Sequence, residues 1–261
     1  MTADLNYKLS CLTVYRSLLQ DPVLLALRRC LEHSDADSLR SLAVADAWHT
    51  AVHLLLKAGV SFRHYLLDLI AYDDNPFSRQ CELYGLESCP AALRQLAARD
   101  LRILQELYHL SPAACGFAGQ EIELLFSDQH PSRDNHSLAV LKSCQDWGEQ
   151  LPFLAEHYRR HSRGMMARYR ALTWGSDGLQ GVTQPDLPRM SDLLGYESQK
   201  EQILANTRQF VQGKPANNVL LYGSRGTGKS TMVKSLLREF WEEGLRLVEV
   251  ARDQVEYLPG L

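Results

Sequence analysis

The residues best equipped for chemistry are Gly223-Ser-Arg-Gly-Thr-Gly-Lys-Ser230, a complete G-x-x-x-x-G-K-[ST] pattern of the Walker A type. Gly223, Gly226 and Gly228 carry no Cβ, so the loop can adopt unusual dihedrals and let a phosphate approach its N–H groups. A helix starting at the end of the loop adds unpaired donors and roughly half a positive charge. Lys229 is the expected point charge for β- and γ-phosphates and the catalytic cation. The Ser230 hydroxyl is the expected ligand for a bridging Mg²⁺. Thr231 lies beside this cluster, near an α-phosphate, and Ser224, Arg225 and Thr227 complete the cradle. The implied ligand is a nucleotide.

Such a loop needs a strand before it and a helix after it. Val219-Leu-Leu-Tyr222 is a short apolar run of the kind a buried parallel strand shows, which predicts a strand near 218–222. Met232, Val233, Leu236, Leu237, Phe240 and Trp241 recur at helical spacing and predict a helix over about 229–242. Upstream, Ser198-Gln-Lys-Glu201 reads as a capping box. It opens a helix whose Ile203, Leu204, Thr207, Phe210 and Val211 share a face and which Gly213 and Pro215 terminate. Gly244 turns the chain into a second strand over 245–250.

Residues 1–173 read as helices throughout. Between 36 and 57 the stripe is Leu39, Leu42, Ala43, Ala47, Trp48, Ala51, Val52, Leu55 and Leu56, stopped by Gly59. Residues 60–72 and 91–110 repeat the pattern, with breaks at Asp73-Asp-Asn-Pro-Phe77 and Glu87-Ser-Cys-Pro90. Residues 129–135 form a polar connection, and a further helix starts near Pro152. The stretch 174–188 has three glycines, two prolines and no Lys or Arg, so residues 174–190 read as a linker.

Composition excludes more than it assigns. Hydrophobic residues are 45% and charged residues 23% of 261, the balance of a globular chain. Net charge is −3, so global charge argues for neither nucleic acid nor membrane. No apolar run approaches a bilayer span, and the N-terminus lacks the pattern of a signal peptide. Cys11, Cys30, Cys81, Cys89, Cys115 and Cys144 show no C-x-x-C pairing and read as reduced thiols of a cytoplasmic protein.

Two further features could do chemistry. Asp46, His49 and His53 fall on one helix face, as a metal half-site would, but no partner ligand is identifiable; half-exposed structural histidines are the preferred reading. The stretch 157–170 holds five arginines and two tyrosines, a mixture able to track a nucleic-acid backbone. One stretch does not make an electrostatic footprint, so no nucleic-acid binding is expected.

The phrase Ser191-Asp-Leu-Leu-Gly-Tyr-Glu-Ser-Gln-Lys-Glu201, followed by a helix and then the loop, resembles the opening of an AAA+ ATPase module. More narrowly it is similar to a bacterial domain-of-unknown-function family of P-loop ATP-binding proteins. The similarity rests on Lys214-Pro-Ala-Asn-Asn218, Arg225-Gly-Thr-Gly-Lys-Ser230 and Gly244-Leu-Arg-Leu-Val-Glu249, and extends over the helical part through Asn75-Pro-Phe-Ser78. The expected fold is thus an all-α N-terminal domain (1–173), the linker, and the first part of an α/β P-loop NTPase domain of AAA+ type (191–261). The resemblance implies ATP and Mg²⁺ as cofactors, Leu193-Leu-Gly-Tyr196 near the adenine, and a homo-oligomer for the complete protein. Only 31 residues follow Ser230, with no acidic strand end, sensor, arginine finger or lid among them, so the chain reads as the front part of a longer protein. Glu249, inside the next strand between two valines, is no substitute. Hydrolysis is expected only in the complete protein. A P-loop phosphotransferase acting on a small molecule, and a nonenzymatic helical interaction protein with a structural nucleotide site, share every feature up to Leu261.

Overall fold

A computed structural model describes residues 2–32, 41–117, 119–127 and 138–255, and the chain divides into two compact units, Met1–Arg163 and Gly164–Leu261. The first is helical. Its helices are α1 (Thr2–Ser10), α2 (Pro22–Glu32), α3 (Leu42–Ala58), α4 (Phe62–Ala71), α5 (Pro76–Tyr84), α6 (Ala91–Tyr108), α7 (Gln120–Phe126), α8 (Ala139–Ser143) and α9 (Leu151–His161). Punctuation in the sequence explains most of the boundaries. The Ser41 and Ser61 hydroxyls accept from the N–H groups of Val44 and His64, and Gly59 ends α3 at φ 68°. Asn75 and Ser78 form a reciprocal capping box at the start of α5, with Pro76 in its first turn. The polar connection expected over 129–135 lies outside the described residues.

The stripe on α3 is rotated from the expected one. Val44, Ala47, Trp48, Ala51 and Leu55 are buried, whereas Leu42 and Leu56 face outward. Trp48 decides the rotation, because its ring stacks between Phe117 and Phe126 with centroids 4.6 and 5.3 Å away. The first unit has one continuous core, built where α2 packs on α3, α5 on α9 and α1 on α6.

Its polar interior is organised by carboxylates and hydroxyls bonded to backbone. Asp100, fully buried on α6, accepts through Oδ2 from the N–H groups of Thr13 (2.8 Å), Val14 (2.7 Å) and Tyr15 (3.2 Å). The guanidinium of Arg99 donates to its Oδ1 at 3.0 Å. This one side chain closes the turn after α1. Tyr158 donates to the carbonyl of Ile70 (2.7 Å) and lies 3.2 Å from the Tyr15 hydroxyl. The indole of Trp147 donates to the carbonyl of Leu141 at 2.8 Å.

The second unit contains α10 (Gly164–Arg168), β1 (Ala171–Gly175), β2 (Gly178–Gly181), α11 (Glu197–Val211), α12 (Lys229–Phe240) and β3 (Leu247–Val250). Its sheet is mixed, in the order β2-β1-β3. β1 pairs antiparallel with β2, Leu172 opposite Gly181, and parallel with β3, Ala171 opposite Leu247 and Trp174 opposite Val250.

Three expectations are corrected here. The stretch read as a linker supplies a hairpin to the sheet. Glycine content disguised it: Gly178 makes the turn at φ 81°, and the Tyr169 ring lies where a Cβ of Gly181 would be. The run 219–222 joins no ladder among the described residues, and Leu220 and Tyr222 are 83% and 88% exposed. β3 has taken β1 as its parallel neighbour instead. Finally, α11 starts at Glu197 after Tyr196, with no side-chain cap, so Ser198 and Glu201 form no capping box. On that helix Lys200, Ile203 and Thr207 are buried, while Phe210 is turned out.

Two measurements test the polar core. Asp100→Ala strands three backbone donors, two of them on buried residues, and should lower unfolding free energy by about 3 kcal/mol in a urea titration. His157 donates from Nε2 to the Ala71 carbonyl (3.2 Å) and is buried, which pushes its pKa down to about 4 from 6.5. The folded state therefore binds fewer protons than the unfolded state between those values. The contribution of His157 is complete above about pH 6.5 and is lost as pH falls towards 4, by roughly 3 kcal/mol in all. Burial pushes the Asp73 carboxyl upward from 3.8, the opposite sign, so the His157 contribution is read as the difference between wild type and His157→Gln. The melting temperature should fall from pH 7 to 5, and His157→Gln should remove that slope.

Candidate nucleotide site

Residues 215–223 run without regular structure from the end of α11 towards the glycine-rich loop. The Asn206 carboxamide holds the start of this segment. It donates to the carbonyl of Asn217 (2.8 Å) and accepts from the Asn217 N–H (2.9 Å), as a neighbouring strand would. The loop then turns through Gly223 (φ 140°), Gly226 (φ 79°) and Gly228 (φ 79°). All three conformations favour glycine over any residue with a Cβ. At Gly226 a Cβ would meet nothing within 4 Å; at Gly228 it would overlap Leu193 Cδ2.

Gly228 is the N-cap of α12 and supplies no side-chain hydrogen bond, and its carbonyl accepts the first helical bond from Met232 (2.8 Å). The opening N–H groups of α12 are therefore left for another acceptor. The Lys229 ammonium lies back across the loop. It donates to the carbonyls of Gly223 (3.0 Å) and Ser224 (2.6 Å) and to Thr227 Oγ1 (3.3 Å), while Thr227 Oγ1 donates to the Ser224 carbonyl (3.0 Å). Ser224, Arg225 and Ser230 are exposed, and Thr231 is half-buried in the first turn of the helix. All nine predicted residues, 223–231, thus form one continuous cradle and helix start.

The segment before α11 is fastened along α12. Lys234 reaches Asp186 (3.4 Å), Arg238 donates to the Leu187 carbonyl (3.0 Å), and the buried Ser235 hydroxyl lies 3.4 Å from Met190 Sδ. Leu193 then packs on Gly228. Gly195 and Tyr196 follow at φ 78° and 63°, two left-handed residues in a row, and Leu194 is 90% exposed beside them. The Lys200 ammonium, on a side chain 9% exposed, donates to the Leu193 carbonyl and pairs with Glu197 at 3.1 Å. The resemblance implies Leu193 to Tyr196 near the base; Lys200, which fastens that turn, is not among the residues the sequence singles out. The signal was its spacing with Ile203 and Thr207, which puts a lysine on the inward face.

Two cavities lie apart from the cradle. One of about 430 Å³ runs between α11, α12 and residues 216–221, lined by apolar side chains such as Ile203, Phe210 and Leu221. The other, about 760 Å³, lies in the helical unit, where Lys8 is paired with Asp4 and Glu106 and Arg102 with Asp146. Neither is lined by a residue of the loop.

The other candidate groups are placed as follows. Asp46, His49 and His53 are exposed on α3, His49 edge-on to Phe117, and the described residues contain no group of three or more His, Cys, Asp or Glu able to hold a metal. Each of the five arginines in 157–170 has a local partner. Arg159 and Arg160 pair with Glu156, Arg163 with Asp74 and Glu82, Arg168 lies over Tyr169, and Arg170 over Trp241 at 3.4 Å. Cys30, Cys81, Cys89 and Cys115 are buried free thiols, and burial pushes Cys30 and Cys81 up to about 12. Among the described residues no helix is long and apolar enough to cross a membrane.

No curated protein and no solved structure matches the chain. Residues 166–261, from α10 through the fastened segment and the loop to β3, match the model of a family described as "Protein of unknown function (DUF815)", so the similarity to that domain-of-unknown-function family is carried by the second unit.

Proposed function

We propose that the chain is an ATP-binding protein, a P-loop NTPase of AAA+ type whose site is the cradle of residues 223–231. The observation that carries this reading is the junction at Gly228 and Lys229. A left-handed glycine delivers the loop into an uncapped helix start, with an ammonium lying across the loop carbonyls. An anion is the ligand such a junction is short of, because the opening helix donors have no side-chain cap. A triphosphate would offer its oxygens to Lys229 in place of the carbonyls of Gly223 and Ser224.

The residues present fit both groups the reading needs. Open space at Gly226 and the glycine conformations on either side leave the backbone accessible to phosphate. The exposed Ser230 hydroxyl would hold Mg²⁺, which supplies charge neutralisation between β- and γ-phosphates when bound. Lys229 would bind and orient the terminal phosphates, Thr231 would lie towards the α-phosphate, and the exposed apolar side chains of Leu194 and Tyr196 would border the base.

The test is binding of a fluorescent ATP analogue by the full chain, with and without Mg²⁺. Lys229→Ala removes the cation and keeps the glycines, and should abolish binding. Ser230→Ala should chiefly lose the gain in affinity that Mg²⁺ confers. Unchanged affinity in the lysine variant would sink the reading.

A further inference from the structure

The glycine-rich loop has a firm exit and a sparsely held entrance. Its exit is α12, whose first helical bond runs from the Met232 N–H to the Gly228 carbonyl. Its entrance is the irregular segment 218–222, none of whose backbone groups takes part in a hydrogen bond among the described residues. Leu221 gives that segment an apolar hold, against the core that contains Ile203, Met232 and Leu236. Its hydrogen-bonded hold comes one residue earlier. There the Asn206 carboxamide takes both backbone groups of Asn217, the carbonyl at 2.8 Å and the N–H at 2.9 Å. A carboxamide offers a donor and an acceptor side by side, as one residue of a neighbouring strand would. It can replace one residue of a strand and no more, so the approach to the loop is pinned at a single position rather than along a ladder. Asn206 lies on α11, and α11 packs on α12. One helix pair therefore carries both the entrance of the loop and its exit.

We propose that Asn206 is a positioning residue for the phosphate cradle. Acting through Asn217, it fixes where the chain enters Gly223, and so where the loop presents its N–H groups and the Lys229 ammonium. This rests on the nucleotide reading above. Lys229 belongs to the same geometry, because the carbonyls that hold its ammonium are those of Gly223 and Ser224, the first residues after the segment. A shift of the entrance moves the acceptors that place the cation. The loss is therefore shared by every ligand that carries the phosphate chain, whatever is attached to it.

Two measurements on the full chain separate this role from the reading beneath it. Asn206→Leu keeps a helix-forming side chain of similar size and removes both hydrogen bonds. Without ligand, backbone amide order parameters from NMR relaxation should fall for residues 218–222, from about 0.85 to below about 0.6, with residues 232–240 of α12 unchanged. With ligand, calorimetric titration with Mg²⁺–ATP and with Mg²⁺–tripolyphosphate should show Asn206→Leu weakening both by the same factor, about tenfold, the scale of two modest hydrogen bonds. Asn217→Pro removes the N–H that Asn206 accepts. Its cost should be smaller in the Asn206→Leu chain than in wild type, since there that N–H has no partner to lose. Unchanged affinities in Asn206→Leu, a loss for ATP that tripolyphosphate does not share, or additive costs in the double variant overturn the role of Asn206. Order parameters that stay the same overturn it without any ligand. A wild-type chain that binds neither ligand overturns the nucleotide reading itself, while the order parameters still report whether Asn206 holds the segment.

Discussion

The second unit is arranged around a helix that starts without a cap. A helix beginning at Lys229 has N–H groups that no earlier turn can satisfy, and the residue before it is a glycine with no side chain to offer. Everything nearby respects that vacancy. The loop arrives through glycine conformations, Leu193 covers the back of Gly228, and Lys229 turns its ammonium onto loop carbonyls. In the first unit α3, α4 and α5 meet this deficit with the side chains of Ser41, Ser61 and Asn75. A side-chain cap at position 228 would take up the N–H groups that the glycine leaves open.

Both units hold their irregular backbone with side chains rather than with ladders. Asp100 takes three consecutive N–H groups after α1, Tyr158 completes the carbonyl of Ile70, and Trp147 that of Leu141. In the second unit Asn206 imitates a strand beside Asn217, and Lys200 closes the turn at Leu193. Asp100, Tyr158, Asn206 and Lys200 each sit on an α-helix, so their positions are set by helix geometry. The connections inherit that rigidity, which a surface loop bonded only to water would lack.

The sheet shows how one choice of partner propagates. Because β1 and β2 come from a stretch with three glycines, they pack tightly: the Tyr169 ring rests flat against Gly181. β3 then pairs with β1 in parallel, and the crossover between them contains the fastened segment, α11, the loop and α12. The apolar run 219–222 lies within that crossover and has no ladder, so its side chains line a cavity or face solvent.

The glycine-rich turn and the helix after it were legible in the sequence because their determinants are local: glycines at fixed offsets, and apolar residues at helical spacing from Met232 on. Helix boundaries marked by Gly59, Pro76 and Pro90 were legible for the same reason. Tertiary structure alone decided which face of α3 turned inward, since the aromatic sandwich on Trp48 draws on residues about 70 positions away. It also decided that a glycine-rich stretch would be a hairpin and that an apolar run would not be a strand, because a strand exists only when another supplies its hydrogen bonds. Lys200 belongs with these. Its type suggested the surface, and only the carbonyl of Leu193, brought to it by a turn of left-handed residues, gave a buried ammonium a place to be.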